Sequence, residues 1–239
     1  MVLDLGCGFG GLSVPISKVC RQVVAVDATF ERIQFLNIRA RQEGLTNLIP
    51  VHANLLELPL GDSMFDCVII NGVLEWTGEW CADKNPRDVQ LLALKKSLDL
   101  LKPSGTLYLA IENRFGIELL YRRRDHNKLY FTSFMPRKMA DLVTMVLRKK
   151  SYRTYTYSYS GYRKLLKDAG FTKIDFYCPW PRYQKPRYII RWGDHAAFTY
   201  FRKRILRDLS FKDYLIFNLL AGVRLNWLLS PSFIILAQK

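Results

Sequence analysis

The sequence predicts an α/β fold, in which helices cover both faces of a mostly parallel sheet. Short apolar runs alternate with segments of helical periodicity through residues 1–113, which is typical of consecutive strand–helix units. One run, 67–70, is apolar without interruption, as expected for a strand that is buried on both faces. Right-handed crossovers between such strands then fix much of their order in the sheet.

The predicted elements of this first half follow one another regularly. Residues 2–5 predict the first strand, and a glycine-rich turn leads from it into a helix over 12–18. Apolar residues at helical spacing predict a helix over 30–43, which Gly44 ends. We expect a further helix over 89–101 and further strands over 23–26, 48–52, 66–70 and 106–111.

The second half of the chain is strongly basic. Residues 1–113 hold 10 Lys/Arg and 13 Asp/Glu, whereas residues 114–239 hold 26 and 8, within a formal net charge of +15. Twelve of the 13 tyrosines also lie in the second half. Here we expect helices within 114–150 and over 162–169 and 196–229, a Pro/aromatic loop over 179–191, and strands over 173–177 and 232–237. Such a half favours an anionic partner.

The first strand runs directly into Asp4-x-Gly6-x-Gly8-x-Gly10. Glycines let the backbone approach a ligand without interference from a Cβ, and the loop amides favour polar or anionic groups. Asp27 ends the second strand, where a carboxylate can accept hydrogen bonds from both hydroxyls of a ribose. A dinucleotide is the weaker interpretation of this motif.

Five segments in this order resemble the class I S-adenosylmethionine-dependent methyltransferases over nearly the whole chain. They are VLDLGCGFG (2–10), VVAVDAT (23–29), NLLELPLGDSMFDCVIINGVLEW (54–76), LLKPSGTLYLAIENRFG (100–116) and GYRKLLKDAGF (161–171). The final SFIILAQK (232–239) is similar to the family's seventh, antiparallel strand. The resemblance implies a Rossmann-like, seven-stranded, mostly parallel sheet with an antiparallel last strand and basic helical insertions.

The resemblance also implies a single domain with three parts. Residues 1–113 would form the core that binds S-adenosylmethionine, and 114–170 would form a basic insertion and helix on the substrate side. Residues 171–239 would supply the sixth and seventh strands with a basic helical excursion between them.

Nine residues are expected, from the resemblance, to hold S-adenosylmethionine: Asp4, Gly6, Gly8, Gly10, Asp27, Ala28, Asn54, Leu55 and Asn71. The glycines would line its methionine and ribose portion. Asp4 would support the loop and the amino group, and Asp27 would bind the ribose.

The remaining expected contacts surround the adenine and the methyl group. Leu55 and Ala28 would flank the adenine. Asn54 stands where the family usually has Asp, and its amide oxygen can still accept the bond from the adenine amino group, without the charge. Asn71, at the end of the fourth strand, would lie near the transferred methyl.

Three residues are candidates for a catalytic base, which is needed only where the acceptor is a hydroxyl or a protonated amine. Glu75 precedes Trp76, where many relatives have Glu-His, and Trp76 can supply an aromatic wall. Glu112 follows the fifth strand, at the sheet edge where ligands bind in such folds. His126 lies beside Asp125 in a polar segment.

The acceptor is the most open part of the prediction. Part of the second half is similar to a methyltransferase subgroup associated with bacterial surface-polysaccharide assembly, in the segments IENRFG (111–116), Asp125-His126 and 153–157. This similarity favours O-methylation of a small-molecule or glycan acceptor. We expect that acceptor to be anionic. Interleaved aromatics and cations also suit an RNA substrate. A third alternative is a non-catalytic module that binds a partner or a membrane surface through the basic amphipathic segment 198–217.

Several further features bound the interpretation. The sequence has no Cys or His spacing typical of a metal site. Its five cysteines are an odd number, which favours reduced thiols and therefore a cytoplasmic protein. Peripheral contact with the inner membrane is left open as an alternative. Met1 directly precedes the first strand, where relatives carry a helical segment that covers the cofactor. We therefore expect either a truncated chain or a different lid, and weak retention of the cofactor.

Overall fold

The structure, a computed structural model, describes residues 1–121, 124–205 and 227–239. Its strands are β1 (Val2–Leu5), β2 (Val23–Asp27), β3 (Leu48–His52), β4 (Phe65–Asn71), β5 (Leu101–Glu112), β6 (Lys173–Trp180), β7 (Tyr188–Arg191) and β8 (Ser232–Gln238). Its helices are α1 (Ser13–Ser17), α2 (Phe30–Gln42), α3 (Pro86–Leu100), α4 (Glu118–Tyr121), α5 (Arg137–Arg148), α6 (Tyr159–Ala169) and α7 (His195–Ile205), with a 3₁₀ helix over Leu74–Glu79. None of these helices is long and apolar enough to cross a bilayer.

The strands form one mixed sheet in the order β3-β2-β1-β4-β5-β8-β6-β7. The first five strands pair in parallel, in the register Asp4 with Ala25 and with Ile69. The mostly parallel α/β fold that the sequence predicts is therefore confirmed.

The last strand, β8, runs antiparallel to its two neighbours. The Thr172 amide donates to the Gln238 carbonyl at 3.0 Å, and Lys239 Nζ donates to the Leu101 carbonyl at 3.2 Å. The end of β8 therefore lies beside the beginnings of β6 and β5, which confirms the predicted antiparallel last strand.

The sheet has eight strands, so the prediction of seven was wrong. The additional strand, β7, pairs antiparallel with β6, with Cys178 opposite Ile190. It lies in the region predicted as a loop, because Pro181 and Pro186 interrupt any alternation that would have indicated a strand. Main-chain bonds to the edge of β6 form the hairpin.

Two further boundaries differ from the prediction. β5 begins at Leu101 rather than at 106, since the strand passes through an irregularity opposite Phe65–Cys67, with Ser104 at φ +66°. The helix predicted over 196–229 is present as α7, but residues 227–229 form a turn, and residues 206–226 lie outside the described residues.

The chain forms two compact units. The first comprises residues 1–110, 163–174 and 235–239, and the second comprises residues 111–162 and 175–234. In the first unit, α2 buries Ile33, Leu36 and Ala40 of the apolar residues at helical spacing, whereas Phe35 of the same set is 49 % exposed. α3 begins at an Asn85 cap, whose Oδ1 accepts the Arg87 amide at 2.9 Å.

The second unit has a core that is rich in aromatic side chains. Cys178, Ile190, Phe201 and Trp227 are buried together. Tyr159 and Trp192 stack with their ring centroids 4.2 Å apart and their planes 7° from parallel. Many of the aromatic residues in the second half are thus core residues of this unit.

Candidate functional site

A cavity of about 560 Å³ opens where β1, β2, β3 and β4 end. Its lining residues follow the carboxyl ends of these strands or belong to the 3₁₀ helix region: Gly6, Val26, Asp27, Ala28, Thr29, Arg32, Ala53, Leu55, Asn71, Gly72, Val73, Trp76 and Trp80. β1 has β2 on one side and β4 on the other, which is the position where open α/β sheets bind ligands. The volume suits a small-molecule ligand.

The Asp27 carboxylate is the central acidic group of the cavity. It is 5 % exposed, and its two oxygens accept the Gly8 and Thr29 amides, each at 2.9 Å. Arg32 Nη1 lies 3.6 Å from Asp27 Oδ1. Each carboxylate oxygen keeps further lone-pair capacity, so Asp27 can accept hydrogen bonds from ligand hydroxyls while the backbone holds it in place.

The glycines after β1 have two different structural roles. A Cβ on Gly6 would lie 2.4 Å from Val73 Cγ2, and a Cβ on Gly10 would lie 2.3 Å from Leu36 Cδ1, so both positions require glycine for packing. Gly8 has open space around its missing Cβ, but its φ is +56°. Its glycine is therefore a conformational requirement, which lets the amide reach Asp27.

Asp4 lies beneath this turn and outside the cavity lining. Its side chain is 2 % exposed and accepts the Ser13 hydroxyl at 2.5 Å, at the first residue of α1. Burial raises the pKa of Asp4 to about 6, the Ser13 bond opposes the rise, and the negative charge of Asp27 adds to it. In this structure Asp4 ties β1 to α1.

The segment after β3 supplies an apolar wall. Ala53 and Leu55 line the cavity, and the Ala53 amide donates to the Asp27 carbonyl at 3.2 Å. Between them, Asn54 is not a lining residue, and its Oδ1 accepts the Leu56 amide at 3.0 Å. The oxygen expected to contact a ligand is thus engaged in a local turn.

The segment after β4 forms the opposite wall. Asn71 lines the cavity, whereas Glu75 is 1 % exposed and is not a lining residue. Trp76 and Trp80 line it as well and are 38 % and 42 % exposed. The sequence predicts an aromatic wall at Trp76, but it gives no signal for the 3₁₀ helix, so Trp80 is not predicted as a lining residue.

The other two catalytic candidates meet in the second unit. Glu112 Oε2 lies 2.8 Å from His126 Nε2, and both side chains are largely buried. The turn that carries His126 is fixed by Asp125, which accepts the Asn127 amide at 2.8 Å, the Leu129 amide at 3.1 Å and the Thr132 hydroxyl. A carboxylate that holds one nitrogen of an imidazole orients the ring for proton transfer.

The structure thus places the predicted residues in three groups. Five of the nine expected cofactor contacts line the cavity: Gly6, Asp27, Ala28, Leu55 and Asn71. Asp4, in β1, and Gly8, Gly10 and Asn54, in the segments that follow β1 and β3, are not lining residues. Arg32 and Thr29 were missed, although their positions just after Asp27 could have indicated them.

Part of the chain is similar to known proteins. Residues 3–109 match a family described as a methyltransferase domain. An uncharacterized protein of Mycobacterium tuberculosis is 43 % identical over 68 residues, which is 28 % of this chain and 24 % of that protein. The ubiquinone biosynthesis O-methyltransferase of Caulobacter vibrioides is 32 % identical over 114 residues, which is 47 % of this chain and 41 % of that protein. The chain therefore spans less than half the length of these curated relatives.

A solved structure shares the fold of this chain. The crystal structure of a SAM-dependent methyltransferase from Methanosarcina mazei has a TM-score of 0.57 at 19 % identity, covering 100 % of this chain and 91 % of that one. At this identity the likeness concerns the fold alone.

Proposed function

We propose, because residues 3–109 match a methyltransferase domain and the chain resembles the class I S-adenosylmethionine-dependent methyltransferases, that this protein transfers a methyl group from S-adenosylmethionine to an oxygen of a small-molecule or glycan acceptor. The observation that carries the proposal is the Asp27 carboxylate, held by the Gly8 and Thr29 amides at the edge of the cavity. The proposal of an oxygen acceptor is supported by the relatives named as O-methyltransferases.

The chemistry of the lining fits S-adenosylmethionine. A fixed carboxylate suits a vicinal diol, and Ala28, Leu55 and Trp76 offer apolar surface for a planar base. A Cβ at Gly6 would displace Val73, which also lines the cavity, so the glycine keeps this wall in place. Asn71 would lie toward the methyl end, as the family pattern implies.

When bound, S-adenosylmethionine supplies a methyl group on a positively charged sulfur, and that sulfur is the leaving atom when a nucleophile attacks the methyl carbon in line. The chain's own part is then to position the nucleophile and exclude water. The apolar and aromatic walls of the cavity would exclude water, and the backbone-held Asp27 would fix the ribose and so hold the methyl donor in place for the nucleophile.

An acceptor hydroxyl must also lose its proton, and His126 is the proposed base. Glu112 Oε2 lies 2.8 Å from Nε2, so its carboxylate would stabilise the imidazolium that forms when the ring takes a proton. The proton would pass from the acceptor oxygen to the imidazole as the oxygen–methyl bond forms. Glu75, which is buried in the 3₁₀ helix and does not line the cavity, is the weaker candidate.

The test is calorimetric titration with S-adenosylhomocysteine, the product form of the cofactor. We expect binding by the unaltered protein and at least a tenfold loss of affinity for Asp27→Ala, because the diol loses its charged acceptor. Asp62→Ala, in an exposed loop, is the matched control and should bind normally. Equal affinity of Asp27→Ala and the unaltered protein would exclude the ribose role.

The acceptor is tested by following formation of S-adenosylhomocysteine with panels of glycans, phenols and RNA. Turnover with a glycan or a phenol supports the proposal. Turnover with RNA alone, lost steeply with added salt, would replace it, because phosphate contacts release counterions.

A further inference from the structure

The helix α5 presents its apolar side to solvent. Five apolar side chains, the α5 apolar face, are between 46 % and 70 % exposed: Met139, Leu142, Met145, Val146 and Leu147. The residues that α5 buries are Ala140 and Thr144, which are small or polar. An amphipathic helix of a globular protein normally has the reverse orientation, with its apolar stripe toward the core.

Helical geometry places these residues on one side. At 100° per residue, the α5 apolar face and the half-buried Val143 cover an arc of about 200°. Exposed apolar side chains that are scattered singly need no explanation, but a contiguous group on one helix indicates an interaction surface.

Cations border this surface. Lys138, Arg148, Lys149 and Lys150 are all exposed. The only acidic residue in α5, Asp141, accepts the Tyr152 amide at 2.9 Å and is not among the exposed residues. The border is therefore positive throughout.

An aromatic loop lies at the end of α5. Arg148 Nη2 donates to the Lys128 carbonyl at 3.0 Å, which ties the helix to this loop. The loop exposes Tyr130 and Phe131, at 49 % and 50 %, and the Arg124 guanidinium lies 5.2 Å from the centre of the Tyr130 ring. Half-exposed aromatics beside basic residues are typical of surfaces that contact the headgroup region of a bilayer.

We propose that α5 and the 128–131 loop bind an anionic lipid surface, with the α5 apolar face in the headgroup and acyl boundary and the bordering cations on lipid phosphates. Nucleic acid is a poorer occupant, since it makes no use of five exposed aliphatic side chains. A second copy of this chain is also a poorer occupant, because it would bring two sets of cations together.

The experiment is flotation of the full chain with phosphatidylcholine vesicles, with and without phosphatidylglycerol. We expect binding only where phosphatidylglycerol is present, weakened by salt. Leu142→Gln/Val146→Gln should reduce binding about tenfold or more, because it removes the insertion of two aliphatic side chains. Lys149→Gln/Lys150→Gln should reduce binding to the anionic vesicles by about tenfold, because two charges near the surface are lost.

The matched control is Val19→Gln/Leu92→Gln, which removes two exposed apolar side chains from the other unit, at 84 % and 46 % exposure. It should float like the unaltered protein. Binding of S-adenosylhomocysteine should be the same in all variants, so this proposal and the proposed function can fail separately.

Three results would overturn the lipid proposal. The first is absence of flotation by the unaltered protein, and the second is flotation that Leu142→Gln/Val146→Gln leaves unchanged. The third is a dimer of the unaltered protein in sedimentation experiments, without vesicle binding, that the same double variant converts to a monomer; this result would assign α5 to a second copy.

Discussion

The Gly8 amide donates a hydrogen bond to the Asp27 carboxylate at 2.9 Å, which joins the turn after β1 to the end of β2. This bond spans 19 residues of sequence and crosses two neighbouring parallel strands. Because of this hydrogen bond, the conformation of the glycine turn and the position of the Asp27 carboxylate depend on each other. Substitutions in the turn should therefore alter both stability and ligand binding.

The glycine turn gives a graded series. Gly11→Ala should be neutral, because its Cβ meets nothing within 4 Å and its φ is not positive. Gly8→Ala should destabilise the protein by about 1–2 kcal/mol through its positive φ alone. Gly6→Ala should cost more, because its Cβ would also lie 2.4 Å from Val73 Cγ2. Urea unfolding of the three variants checks this order, and a Gly8→Ala variant as stable as Gly11→Ala would contradict it.

Asp4 should make stability fall as pH rises through its titration range. Burial raises its pKa from the ordinary 3.8 to about 6, so between these values the folded state keeps a proton that the unfolded chain has released. The stabilisation is complete below the lower value and is lost above the higher one, a change on the order of 3 kcal/mol.

Asp4→Asn should remove this slope. The measurement is urea unfolding of both proteins across about pH 4 to pH 7, since the difference between them cancels the other titrating groups. A stability difference that is the same at every pH would show that Asp4 titrates normally in the folded state.

His126 should affect turnover rather than cofactor affinity. If His126 takes the acceptor proton, His126→Gln should lower kcat by about 10²- to 10⁴-fold. Glu112→Gln should lower kcat less and should change its pH profile, because this variant keeps the imidazole but orients it less well. Affinity for S-adenosylhomocysteine should stay unchanged in both. His195→Gln, at an exposed histidine, is the control and should keep full turnover. Equal turnover of His126→Gln and His195→Gln would exclude His126 as the base.

The indoles of Trp76 and Trp80 should contribute to ligand affinity more than to stability. Both line the cavity and are about two-fifths exposed. Trp76→Ala should weaken binding of S-adenosylhomocysteine or of the acceptor about tenfold, which corresponds to about 1.4 kcal/mol, whereas Trp76→Phe keeps most of it. Calorimetry and acceptor KM measure the two effects, and Leu92→Ala, an exposed apolar position outside the cavity lining, controls for loss of surface area.

The sequence by itself determined the parallel core and the approximate place of the site. Strands such as β1 and β4 are dictated by local apolar patterning, and a glycine turn after one strand with an acidic residue after the next is a local signal at the same sheet edge. Patterning failed at β7, because prolines remove the alternation, and at the 3₁₀ helix, which is too short to show a periodicity that would indicate Trp80 as a lining residue.

Only the tertiary structure decided the relations between distant residues. Glu112 and His126 are 14 residues apart and belong to no common helix or strand, so no periodicity relates them, yet the fold brings their side chains to 2.8 Å. Composition indicated that 114–150 is basic and helical, but the direction of the α5 apolar face depends on which side of the helix the rest of the unit packs against. Local sequence fixes which residues share a helix face or strand edge, whereas packing, through the area it buries, fixes what that face meets.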